Sequence, residues 1–190
     1  MLGLITLVAA VFAACGSSDD DRESGINVDL QPIQELAHAA SSEADRMEEH
    51  ADSMAAAAAS RPDLAHWESD AEVVRAEARS LRLLASWATA IQYDPGAQSD
   101  SHGDIQRILG DGRNLQELGE TLIVHADAML AHVEVMREQA AGDSALLATV
   151  SDIGTDSEGM RQSGQAAIDR GKELEEIARQ LARSIGEEID

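Results

Sequence analysis

The chain predicts an all-α fold, an antiparallel up-down-up-down four-helix bundle, and three observations carry that expectation. Alanine, leucine, glutamate and arginine dominate while aromatic residues make up 2% and prolines number three, which is the composition of long helices. Apolar residues recur at alternating spacings of three and four over most of the chain, as the buried stripe of an amphipathic helix requires. Stop-and-restart signals at 60–63 and 142–144 make two of the connections tight, and tight connections join antiparallel neighbours.

Helix one is capped by Asp29 or Asn27, tolerates Pro32 in its opening turn and runs to about Ser60. Ser60-Arg61-Pro62-Asp63 then reads as a restart, with serine as cap, proline just inside and an acid in the first turn. Helix two carries Leu64, Trp67, Ala71, Val74, Ala78, Leu81, Ala85 and Ala88 on its core face and ends at Tyr93-Asp94-Pro95-Gly96. Trp67 and Trp87 are both expected to anchor this helix by burial.

Helix three begins at Ser101 or, if Gly110 and Gly112 break it, near Asp111. Its buried face is Leu115, Leu118, Leu122, Ala126, Met129, Val133, Met136 and Ala140, and Gly142 terminates it. Helix four starts at Asp143 or Ser144 and buries Leu147, Val150, Ile153, Met160, Ala167, Leu174, Ile177, Leu181 and Ile185. Thr155 to Glu158 offers a second capping box, but one long helix bent there is preferred. Gly154, Gly159 and Gly164 each weaken that helix by about 1 kcal/mol relative to alanine, which close helix contact or room for a ligand would offset. The many alanines in these stripes predict close packing and a thin core.

A short repeat links two of the helices. His50 to Met54 reads HADSM and His125 to Met129 reads HADAM, on helices that run in the same direction in an up-down bundle, so a duplicated helical hairpin explains both. The spacing extends it: Met47, His50 and Met54 share one face of helix one, and His125, Met129, His132 and Met136 share one face of helix three. Met160 lies near the level of His125 on helix four. Imidazole suits several transition metals and thioether sulfur favours Cu(I), so a shared interior pocket of these residues would be a copper site. Haem b held by the same His and Met residues is the weaker version, since so few aromatics are present to wall a haem pocket. Packing is the competing account, because methionine fills irregular gaps between helices and a flanking histidine can face water.

Other chemistry finds little support. Glu35-Leu36-Ala37-His38 has the ExxH spacing of di-iron bundles, yet helix three offers no second copy. HExxH, GxSxG, CxxC, Walker and dinucleotide glycine patterns are missing, and Gly110-Asp111-Gly112 is too short to mean more than a turn, so no catalytic residue is expected. A formal charge of −22 without a basic stripe makes nucleic acid an unsuitable partner, because phosphate neutralisation needs clustered Lys and Arg.

The N-terminus specifies an address. An uncharged apolar run, MLGLITLVAAVFAA, precedes the sole cysteine, Cys15, and a small, acidic spacer follows it. Phe12-Ala13-Ala14-Cys15 resembles the lipobox of bacterial lipoproteins, although no Lys or Arg precedes it as in most such leaders. The resemblance implies a signal peptide over 1–14, a lipidated Cys15 at the head of a flexible tether over 15–26, and a bundle over 27–190. It also implies attachment to the membrane through acyl chains; Gly16 after the cysteine resembles the pattern that permits sorting to the periplasmic face of the outer membrane in a diderm. The expectation is therefore a lipid-anchored cell-envelope protein that binds an envelope partner without catalysis, with a periplasmic copper or haem b binder as the alternative.

Overall fold

The computed structural model describes residues 28–93, 101–186 and 188–189, so the signal peptide, Cys15, the tether, Asn27 and Asp94-Pro95-Gly96 lie outside the described residues. Four helices make up the fold: α1 (Gln31–Ser60), α2 (Trp67–Ala90), α3 (Ser101–Gln139) and α4 (Ser144–Ile185), with a single 3₁₀ turn at Pro62–Leu64 between the first two. No strand occurs among the described residues, and the all-α four-helix bundle stands.

Local chemistry sets most of the helix ends. Pro32 sits in the first turn of α1, where its missing N–H has no intrahelical role, and Asp29 Oδ1 accepts from Gln31 N at 3.0 Å. Asp143 caps α4 by accepting from Ala145 N at 3.1 Å and Leu146 N at 3.2 Å. Gly142, with φ of 91°, supplies the left-handed turn just before it. Ser60 does not cap α2: it closes α1, its hydroxyl donates to Ala57 O at 3.1 Å, and Pro62 opens the 3₁₀ turn instead. Nor does Thr155 restart a helix, since its hydroxyl donates to Ser151 O at 3.1 Å inside an unbroken α4. Gly110 and Gly112 leave α3 equally unbroken.

The turns α1–α2 and α3–α4 share one end of the bundle, where Arg61 Nη1 reaches Asp143 Oδ2 at 3.3 Å and Trp67 Nε1 donates to Gln139 Oε1 at 3.0 Å. That contact fixes the up-down-up-down order and makes α1 parallel to α3. Each helix packs closely on its hairpin partner, α1 on α2 and α3 on α4; the hairpins then join along two seams, α1 with α4 and, more sparsely, α2 with α3. The parallel helices α1 and α3 therefore lie diagonally across the core.

The stripe of α2 is buried at every expected position; Trp67 is wholly enclosed, whereas Trp87 is only partly buried against the core. On α3 every expected position is buried except Leu118, which is half-buried. On α4, Leu147, Ile177 and Leu181 are partly buried and Ile185 is exposed. Ion pairing places Arg46 level with Asp156, so α4 outruns the start of α1 by roughly 20 Å at 1.5 Å per residue, and its last turns have fewer neighbours.

Glycine explains how tightly the second hairpin closes. A Cβ on Gly119 would stand 2.4 Å from the carbonyl oxygen of Gly164, and one on Gly171 would stand 2.4 Å from that of Gly112. Each member of both pairs meets the other's backbone, seven residues apart along each helix, so α3 and α4 approach at the short end of the ~8–10 Å range for helix pairs. Alanines take that role in the first hairpin, where Ala44, Ala51, Ala71 and Ala78 are fully enclosed.

Candidate functional site

The repeated pentapeptide does the same work twice. Ala51 and Met54 of α1, and Ala126 and Met129 of α3, all point into the core. The aspartates point outward to an arginine on the hairpin partner, Asp52 to Arg75 at 2.8 Å and Asp127 to Arg161 at 3.4 Å. The histidines turn sideways across the seams to a carboxylate of the opposite hairpin: His50 Nε2 lies 2.9 Å from Asp156 Oδ2, and His125 Nδ1 lies 2.5 Å from Glu77 Oε2. The His, Ala, Asp and Met positions of the two pentapeptides thus take equivalent places in the bundle.

The expected sulfur and imidazole groups are thereby kept from one common pocket. Met47, Met54, Met129, Met136 and Met160 are buried in the core, as a shared thioether interior requires. The imidazoles do not converge on them: His50 belongs to the α1–α4 seam, while His125 and His132 belong to the α2–α3 seam on the other side of the bundle, where Met129 borders them. The expected convergence of His50, Met54, His125 and Met129 on one pocket is not the arrangement found, because α1 and α3 are diagonal and each presents its histidine to a different neighbour. Among the described residues no group of three or more His, Cys, Asp or Glu is placed to hold an ion.

Two charged seams take the place of that pocket. In the α2–α3 seam His125 meets Glu77, and one heptad away His132 Nε2 lies 3.1 Å from Asp70 Oδ2. Asp70, Val73, Glu77, His125, Ala128, Met129 and His132 line a groove of about 230 Å³, open because these two helices touch so little. Burial pushes the Glu77 carboxyl above its ordinary range, opposed by the His125 ring. In the α1–α4 seam, Glu43 and Asp156 are both 5% exposed, and Arg46 pairs with both, its Nε 3.1 Å from Asp156 Oδ1. Burial, then the neighbouring Asp156 charge, push Glu43 from 4.5 up to about 7 against the pull of Arg46.

Sequence reasoning missed these carboxylates, though a signal was present. Glu43 falls in stripe register between Ala40 and Met47, Asp156 between Ile153 and Met160, and Glu77 beside Ala78 after Val74. An acid in the register of a buried stripe must find a partner across an interface or hold a proton. Of the ExxH pair, Glu35 and His38, both residues are exposed on α1, and Glu35 borders the α1–α4 groove and accepts from Gln31 Nε2 at 2.9 Å.

Comparison of the chain with protein-family models, with curated proteins and with solved structures yields no match.

Proposed function

We propose that this is a lipid-anchored helical bundle of the cell envelope, held to the membrane through Cys15, which works by binding a partner and not by catalysis. The observation that carries the binding reading is the α2–α3 groove. Val73 and Ala128 form its exposed apolar rim, Met129 lies buried beneath, and Glu77 and Asp70 sit deeper than the rim, paired with the two imidazoles. Val73, on α2 at the rim of this groove, stays 50% exposed and open to a partner. Acid beneath an apolar rim suits a cationic, amphipathic segment of an envelope protein.

The lipobox resemblance supports the anchor, and no helix among the described residues is long and apolar enough to cross a membrane. Two measurements test the reading. A Cys15→Ser variant should lose acyl labelling and move from the membrane to the soluble fraction. A photoreactive residue replacing Val73 should trap a protein in intact cells while one replacing Glu173, an exposed position on α4, should not. Equal fractionation of both forms would remove the anchor; equal adducts from both positions, or none, would remove the groove.

A second reading, transition-metal binding, would have to use the two separate pairs His125–Glu77 and His132–Asp70, since no group of three or more such side chains among the described residues is placed to hold one ion. Nitrogen and oxygen donors suit Zn²⁺ or Cu²⁺ better than the Cu(I) that thioethers favour. Calorimetric titration with each ion, against a His125→Ala, His132→Ala double variant, tests it. Indistinguishable isotherms for the two proteins would end this reading without touching the first.

A further inference from the structure

We propose that the α1–α4 seam is a proton-operated latch: one proton held between Glu43 and Asp156 keeps the two hairpins closed on each other, and its loss as pH rises loosens them. The argument starts from placement. Glu43 is pressed against α4 where Gly159 leaves room, and a Cβ there would lie 2.5 Å from Glu43 Oε2. Its other oxygen, Oε1, is buried without a hydrogen-bond partner among the described residues. A protonated Glu43 can donate to Asp156, which satisfies that oxygen without a further cation.

Charge balance gives the latch its direction. The groups facing Glu43 are Arg46 and His50 from its own helix and Asp156 from α4, with Glu35 and Arg170 further along the same groove. Arg170 is engaged with Glu173, and among the described residues Arg46 is the one fixed cation that touches both buried carboxylates. With a proton on Glu43, Arg46 balances the single remaining charge of Asp156. Without it two carboxylates share one guanidinium, and only a charged His50 could make up the difference. Burial raises the cost of that imbalance, and the upward displacement of the Glu43 carboxyl to about 7 agrees with it.

The consequence reaches the whole bundle because of where the seam lies. Each hairpin is closed by small residues at close approach, whereas the two hairpins meet along α1–α4 and the sparser α2–α3 contact. Weakening α1–α4 therefore frees one hairpin against the other before either hairpin comes apart. This inference is independent of the α2–α3 groove.

Amide hydrogen exchange on the full mature chain tests it, at about pH 5.5 and about pH 8.5 and corrected for the intrinsic pH dependence of exchange. Amides of α1 facing α4 should lose protection by roughly tenfold at the higher pH, and Glu43→Gln, which keeps the shape of the protonated acid, should abolish the difference. Absence of a pH effect in the native chain, or its survival in Glu43→Gln, would overturn the latch. Should that variant fail to fold, carbon-13 titration of the native Glu43 carboxyl decides: a midpoint near 7 is expected, and one in the ordinary glutamate range would overturn it.

Discussion

Replacing Gly119 and Gly110 with alanine, one at a time, separates the packing argument from helix propensity. Both residues lie inside α3, and in an isolated helix each change would stabilise by about 1 kcal/mol. At Gly110 a new Cβ meets nothing within 4 Å, so that gain should be realised, which for a chain of this size corresponds to roughly 2–4 °C in Tm. At Gly119 the same Cβ would fall 2.4 Å from the Gly164 carbonyl oxygen and 2.8 Å from Ile168 Cγ1. The first of these is backbone, so relief requires the two helix axes to separate along the seven-residue spacing that joins this contact to Gly112 and Gly171. Overpacking costs about 1–3 kcal/mol where a side chain can yield. Here the backbone must move, so the clash should outweigh the propensity gain and leave Gly119→Ala destabilised by at least about 1 kcal/mol. Urea unfolding followed by circular dichroism reads both values, provided the slopes match the parent protein. Shifts of the same sign in the two variants would show that the close glycine contact does not govern this hairpin.

Two further outcomes follow from single sites. Asp143→Ala removes both bonds to the first turn of α4 together with the contact to Arg61, and should cost about 1 kcal/mol with little change in unfolding slope; full retention of stability would mean the cap is supplied elsewhere. Glu43 sets a pH dependence whose sign is opposite to that of a salt-bridged carboxylate. Its folded value is raised from 4.5 to about 7, so across that window the folded chain holds a proton the unfolded chain has released, and stability falls as pH rises. The loss between pH 4.5 and pH 8 should be about 1 kcal/mol or more, read as the difference between the native chain and Glu43→Gln in guanidinium unfolding; parallel profiles for the two would contradict it.

Helix boundaries and core stripes were legible because they depend on neighbours along the chain. The pairing of proline with helix starts, the Asp143 cap after Gly142 and the stripe of α2 from Leu64 to Ala88 are all decided within a few residues. The role of Ser60 was misread for the same reason, since a serine before proline has two local uses and it takes the one that closes α1. The histidines were legible as a repeat but not as a site. Their sideways direction depends on which helix stands next to each, and the diagonal relation of α1 to α3 appears in no local pattern.

From the amino-acid sequence alone came the four helices, their alternating direction, the twofold recurrence of HADSM and HADAM, and the lipoprotein-like leader. Helical periodicity is a short-range property: a residue's face is fixed by its distance from the next apolar one. Tertiary structure decided which helices touch, and with that the partners of His50, His125, Glu43 and Asp156. A charge buried at a seam is determined by groups more than a hundred positions away, as with Arg46 and Asp156, and its energy depends on distance and desolvation that no spacing along the chain encodes.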